Sequence, residues 1–353
     1  MNRLRFKVTL LVALLLTLAG CAKSGPRAKK EEKITGRPGD PPVTLETQWI
    51  SSNRYTFRIE ITSCSTAPRA NSPKPVAQET TIAQDYVVTV TNTMPNGSRG
   101  LDLELRTLQL EMSVGDNLTT TYDSENRVIG TFGDPTAEAL QNIVGAHLRY
   151  LLSASNTVTR LDGIKELNDR VLSGNARNSA ASILRRYFNA PYFKQLVEMN
   201  ALPTDAVRVG DSWPMRRELS YSSAGAVARI EVTCAFKGWQ QREKRNCALL
   251  EFAGAIKPPR PENQRARIVG APDVSGSLTG KTWFDPESGF AIETLTDQTL
   301  TYQSTARRPR GADTNAPPIA FMTTQRQRVR IRLLEVGPAV PADTGQPAVA
   351  PTK

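Results

Sequence analysis

Histidine is almost missing from this sequence: His147 is the only one among 353 residues. Any triad needing an imidazole base would have to use it, and no Gly-x-Ser-x-Gly elbow accompanies it. The four cysteines are Cys21, Cys64, Cys234 and Cys247, none spaced as zinc ligands are. No phosphate-binding glycine loop or dinucleotide fingerprint occurs. Aromatics make up only 6% of the chain, which argues against a large aromatic-lined carbohydrate groove. The most apolar run, Val8 to Leu18, is about eleven residues, whereas a membrane-crossing helix needs about twenty. Carboxylates are plentiful, among them Glu104, Asp123, Asp162, Asp211, Asp285 and Glu293. Glycoside hydrolysis needs two of them across a cleft, and the sequence places no such pair. The expectation is therefore a non-enzymatic protein with no catalytic residue, metal or cofactor.

The clearest positive signal lies at the start. Arg3, Arg5 and Lys7 precede the short apolar run, and Leu18-Ala19-Gly20-Cys21 follows it. Charge, short apolar core and small residues are the parts of an export signal. The segment resembles the lipobox of bacterial lipoproteins. That resemblance implies cleavage before Cys21 and a diacylglycerol thioether on its sulfur, with the new amino group usually acylated as well. Several acyl chains, at roughly 0.8 kcal/mol per buried methylene, make a lasting anchor. Ala22, rather than aspartate, follows the cysteine, so the expected address is the outer membrane, facing the periplasm.

The formal charge is +11, and loss of residues 1 to 20 leaves about +8. Arg307, Arg308 and Arg310 cluster in a proline-containing stretch. Arg326, Arg328, Arg330 and Arg332 recur at a spacing of two, which places them on one face of a strand, with Val329, Ile331 and Leu333 on the other. The simplest expectation is the solvated face of an edge strand, where charge deters pairing; contact with lipid headgroups or cell-wall anions is the alternative. Nucleic acid is an improbable partner, because no aromatic platform interleaves with the charge. An oxidising compartment permits disulfides. Cys234 and Cys247 flank the Gly238–Asn246 reversal, so a cross-strand bridge between them is expected, closing about fourteen residues. Cys64 is then odd, either buried or bonded to one of the other two.

Four segments emerge: a leader over 1–20, a lipidated cysteine with a Lys/Gly/Pro tether over 21–43, one domain over 44–336, and a polar Pro/Ala tail over 337–353. Tyr55, Phe57, Ile59 and Ile61 alternate, as do Tyr86, Val88 and Val90, with a polar insertion from Ser65 to Glu79 between them. Pro95-Asn96-Gly97 signals a reversal. Leu101, Leu103 and Leu105 slip phase to Leu108, Leu110 and Met112, as a bulge near Arg106-Thr107 produces. Asp134-Pro135 is a helix start, and Leu140, Ile143, Val144, His147, Leu148 and Leu151 form a helical stripe. Asp162-Gly163 reads as a turn between short β-like runs, and Ala176 to Met199 as a second helical region broken near Pro191. Strands then resume, ending with Gln325 to Val336. The predicted class is α+β: a curved antiparallel sheet or incomplete barrel with two helical regions inserted mid-chain.

Two motifs stand out, Val207-Arg208-Val209-Gly210-Asp211-Ser212-Trp213 and Gly280-Lys281-Thr282-Trp283-Phe284-Asp285-Pro286-Glu287-Ser288-Gly289-Phe290. Their plain roles are structural: Gly210, Gly280 and Gly289 at turns or close approaches, Trp213 and Trp283 in the core, Asp211 and Asp285 as motif positions, the latter capping its own turn. With the helical middle, the pattern resembles an uncharacterised family of bacterial lipoproteins built on a domain of unknown function, over roughly residues 44 to 302. A looser likeness, of architecture alone, is to periplasmic incomplete-barrel carriers of lipids or lipoproteins. The expectation is a periplasm-facing binding or interaction module, with an envelope protein, a lipid or a cell-wall anion as partner. Its alternatives are carriage of a lipid or other hydrophobic ligand, and a carboxylate-based envelope hydrolase.

Overall fold

The computed structural model describes residues 33–69, 72–115, 117–126, 140–172, 188, 190–198, 202–221, 226–258, 274–305 and 320–339. Twelve strands run in the order β1 Asn53–Arg69, β2 Ser72–Thr93, β3 Arg99–Val114, β4 Asn117–Asp123, β5 His147–Leu152, β6 Val158–Asp162, β7 Ser212–Tyr221, β8 Ala226–Arg242, β9 Arg245–Lys257, β10 Val274–Asp285, β11 Phe290–Thr305 and β12 Ala320–Pro338. Two short helices, α1 Ile164–Leu172 and α2 Ala190–Val197, lie between β6 and β7. All strands belong to one open antiparallel sheet, ordered β6-β5-β3-β2-β1-β12-β11-β10-β9-β8-β7, with β4 beside the far half of β3. Strand accounts for 66% of the described residues and helix for 7%, so the α+β expectation is overturned: the fold is nearly all-β.

The largest displacement from expectation is β12. Its arginines do not guard an edge, because β12 lies between β1 and β11 and joins two meanders. Register puts Arg330 opposite Glu60 of β1, and Arg332 and Arg328 opposite Glu293 and Asp297 of β11. Arg330 Nε lies 2.5 Å from Glu293 Oε1, and Arg332 Nη2 lies 3.3 Å from Glu60 Oε1. Arg328 pairs with Asp297 at 2.7 Å, and Arg242 of β8 also holds Glu293. One rung further along, Arg58 grips both oxygens of Asp85 at 2.6 Å. The spacing-of-two rule found the face correctly. What it could not show was that acidic residues on the flanking strands answer Arg328, Arg330 and Arg332.

The first mid-chain helix expectation needs correction. The stripe from Leu140 to Leu151 is not one helix. Leu140 and Gln141 are helical but residues 142–145 turn, with Ile143 N–H donating to Leu140 O and Ala146 N–H to Ile143 O. His147–Leu152 is β5, where Leu148, Tyr150 and Leu152 are buried while His147 and Arg149 face out. Gly145 N–H donates to Leu105 O and Leu105 N–H to Ala146 O, so β3 claims the backbone a helix would have used. His147 is accordingly not a core residue; its Nδ1 meets Asp102 Oδ2 at 2.8 Å on the exposed side. After the Asp162-Gly163 turn comes a helix, not a strand: Ile164, Leu167 and Val171 at three- and four-residue steps turn inward. In the second region, the described part is α2, which begins at Ala190 with Pro191 in its first turn. Asp134-Pro135, residues 173–187, the Arg307/Arg308/Arg310 cluster, the leader with Cys21, and the tail from 340 lie outside the described residues.

Other signals held. Met94 N–H donates to Ser98 O and Gly97 N–H to Met94 O, closing the Pro95-Asn96-Gly97 turn. The β2–β3 register shifts as Asp85 faces Thr107 and Tyr86 faces Leu105, leaving Arg106 as the bulged residue. The Ser65–Glu79 segment is not an insertion: it is the continuation of β1 and β2 as paired strands.

The main core packs β1, β2, β3 and β5 against α1, α2 and Phe188 through residues such as Leu103, Leu148, Leu167, Phe193 and Val197. A second cluster (Ile230, Val232, Cys234, Phe252, Leu278) lies on β8–β11, and a third packs Leu45 and Val207 from outside the strands on Phe236 and Phe284. The expected Cys234–Cys247 disulfide does not form. Cys234 faces Phe252 and Cys247 faces Gln240, so register sets them apart along the β8–β9 ladder. Both are buried thiols, and burial pushes Cys234 up to about 11 and Cys247 up to about 12. Cys64 is half-buried on β1, opposite Glu79 and Arg326.

Two outcomes follow. Glu293 is 2% exposed between two guanidiniums that are each about one-third exposed. Replacing it (Glu293→Gln) takes the acid from Arg242 and leaves Arg330 only Glu60, at 3.5 Å, and should cost about 2 kcal/mol, less than a fully buried pair because water reaches the arginines. An unchanged urea midpoint would refute this. The thiols give a pH dependence. Above about pH 9 the unfolded chain loses thiol protons that the folded chain keeps, so it binds fewer protons and stability falls as pH rises. The urea midpoint should therefore be lower at about pH 10.5 than at about pH 8. At about pH 8, iodoacetamide should reach Cys234 and Cys247 only after unfolding; rapid labelling of the native protein would contradict their burial.

Candidate functional site

The face of the sheet opposite the second and third cores carries a trough of about 560 Å³ across β8, β9, β10 and β11. It arises from short side chains brought level by register. One rung reads Thr233–Ala253–Thr279–Asp297, and the next reads Ala235–Glu251–Lys281–Leu295. Residues two apart on a strand share a face, so both rungs look the same way. Alanine and threonine over three neighbouring strands leave a depression that the longer chains of Lys237, Glu251, Lys281 and Asp297 border.

Charge on this border is mixed and mutual. Lys281 Nζ lies 3.2 Å from Glu251 Oε1 and Lys237 Nζ lies 4.0 Å from Glu251 Oε2, while Asp297 is held by Arg328. All five side chains are between 36% and 69% exposed, so each pair is worth little to stability and is free to exchange partners. Among the described residues no group of three or more His, Cys, Asp or Glu could hold a metal ion.

The second sequence motif lies beside this trough. Gly280 lines it, and a Cβ there would meet the Phe252 ring at 2.2 Å and Leu295 O at 2.3 Å, so the close approach requires glycine. Trp283 is one rung away: its Nε1 donates to Gln240 Oε1 at 2.5 Å, and Arg242 stacks on its ring at 4.4 Å. Asp285 is buried, accepting from Glu287 N–H at 3.0 Å and from Arg245 Nη1 at 3.0 Å. Gly289, at φ +71, donates to Asp285 O and accepts from Gln48 N–H, closing the turn. The first motif is elsewhere. Gly210 N–H donates to Phe236 O, Asp211 Oδ2 accepts from Arg208 N–H at 2.7 Å, and Trp213 faces Cys234 on the apolar side. Both motifs thus build structure, and only the second reaches the trough. Thr233, Ala235, Ala253 and Thr279 were not singled out from sequence. Their signal was the recurrence of short residues at alternate positions of three successive strands, legible only once the strands are placed side by side.

Comparison with known proteins adds a family. No curated protein matches the sequence. Among solved structures, lipovitellin, described for its lipid–protein interactions, is similar at 11% identity with a TM-score of 0.43, over 84% of this chain and 26% of that one. The chain thus spans about a quarter of the lipovitellin chain. DynF from the dynemicin pathway of Micromonospora chersina gives 8% identity, 86% and 91% coverage and a TM-score of 0.17. An outer membrane channel from Pseudomonas putida F1 gives 9% identity, 84% and 99% coverage and the same score. Likenesses this distant carry no argument about activity. A family model matches residues 96–291, which include β3 to β10, both helices and both motifs, and on that match the chain belongs to DUF6263, a family of unknown function.

Proposed function

We propose that this chain is a lipid-anchored envelope protein whose folded domain is a non-enzymatic binding module, with the β8–β11 trough as its docking face. The observation that carries the reading is the pair of short-side-chain rungs bordered by Lys237, Glu251, Lys281 and Asp297. A border of both charge signs suits an extended polar segment of a protein partner carrying both signs, because each exposed pair can exchange its counter-ion for one on the partner. The same lining disfavours the two alternatives at this place. Carriage of an apolar ligand suits walls made mainly of Leu, Val and Phe, and here only Phe252 and Leu295 stand among Thr, Ala, Gly and four charged residues. Hydrolysis by paired carboxylates needs two carboxyl groups facing each other across a cleft, whereas Glu251 and Asp297 are each turned to a cation of the sheet itself. Support for the proposed anchor is Arg3, Arg5, Lys7, the short apolar run and Leu18-Ala19-Gly20-Cys21, and support for the proposed outer-membrane address is Ala22 where an aspartate would signal retention.

The test has two arms in one bacterial host. The full chain should incorporate an alkyne analogue of palmitate and lose the label in Cys21→Ser; an unlabelled wild-type chain defeats the anchor. A photo-crosslinking residue at Ala253 should give a discrete adduct with an envelope protein, and one at exposed Thr159 on β6 should not. Absence of the Ala253 adduct, or equal adducts at both positions, defeats the docking face.

A further inference from the structure

The apolar side of the sheet hides a second and different site, independent of the trough. Gln84 and Tyr86 are alternate residues of β2 and so share a face, and they are 1% and 0% exposed. α2 lies over them: Tyr192 donates its hydroxyl to Gln84 Oε1 at 3.1 Å. Tyr150 of β5, also buried, donates to Phe193 O of α2 at 3.2 Å. Around them stand the rings of Phe57, stacked on Tyr86 at 5.3 Å, and of Phe188 and Phe193. In this buried setting two polar atoms have no hydrogen-bond partner among the described residues, the Gln84 amide nitrogen and the Tyr86 hydroxyl. Buried polar groups are nearly always satisfied, so a pair of orphans on one face points to a missing partner.

The inventory of donors and acceptors says what kind. The Gln84 nitrogen only donates. The Tyr86 hydroxyl is neutral, since burial drives its pKa well up, and it donates as well. The acceptors already described here, Gln84 Oε1 and Phe193 O, each hold a phenol hydrogen. A water bound between the orphans brings two hydrogens of its own, which only the phenol oxygens stand ready to take. A carbonyl or ester oxygen brings none and takes both donors. An ionised carboxylate would have to shed its hydration beside phenols and an amide, with no cation in the cluster. The geometry points to an interior site, which we propose receives the uncharged acceptor oxygen of an apolar-bodied ligand, of the class of lipid esters, between β2 and α2.

The full chain is the test material and methyl oleate the probe, with oleate for comparison. Native mass spectrometry should show one methyl oleate per chain, with oleate weaker by about ten-fold or more. Tyr86→Phe removes one donor without changing the ring stack and should weaken methyl oleate by about ten-fold while leaving the melting temperature near wild type. If that variant does not fold, Gln84→Leu removes the other donor and makes the same claim. A crystal structure of the wild type with the probe should place its carbonyl oxygen within hydrogen-bond reach of Tyr86 Oη and Gln84 Nε2. A lone water there, no binding of methyl oleate, equal binding of oleate, or undiminished binding by a folded variant overturns the proposal.

Discussion

The sheet depends on one strand pairing made at the end of the chain. β12 lies hydrogen-bonded to β1 on one side and β11 on the other, and without it the two meanders would each end in a bare edge. The arginines make that placement selective. Shifting β12 by one residue would turn Arg328, Arg330 and Arg332 to the apolar side and Ile331 and Leu333 to water. Glu60, Asp297 and buried Glu293 answer the arginines only in the observed register. The ion pairs therefore act more through register than through net stabilisation, since desolvation offsets much of what buried pairs gain.

From that seam the two faces take different roles. On the apolar face the first half of the sheet is roofed by α1, α2 and Phe188, and the second half by its own clusters with Leu45, Val207 and Val209. On the other face, ion-paired rungs run from Asp85 through Arg58 and Arg332 to Glu293, and the trough opens where the side chains become short. The sheet thus offers a polar surface and an apolar interior whose binding chemistries differ.

Local chemistry was legible in the sequence and long-range pairing was not. The Pro95-Asn96-Gly97 turn, the bulge at Arg106 and the Asp285–Gly289 turn each follow from a few neighbouring residues. The stripe from Leu140 to Leu151 misled because apolar residues at helical steps also contain the alternation Leu148, Leu152, with Tyr150 between them; the choice was made by β3, which takes up the backbone groups at Gly145 and Ala146. The arginine row of β12 was read correctly as one face and wrongly as an edge, since the acids that pair with it lie on other strands. Cys234 and Cys247 flanked a reversal as expected, but the bulge between Phe236 and Gly238 and the tight turn at Glu243-Lys244 set a register that keeps them apart. The trough escaped for the same reason: no single strand contains it.

Placing the seam last has a kinetic consequence. Arg332 and Glu60 are separated by 272 residues, so their contact closes a loop nearly as long as the domain. Such topology folds slowly, because the entropy of closure is spent before the pairing that rewards it. Until synthesis passes β12, both β1 and β11 have an open side, and each is a template for a neighbouring molecule. A nascent chain of this kind gains from being kept unpaired until the segment from Ala320 onward arrives, and holding factors that bind extended chain would set its yield more than any contact in the finished sheet.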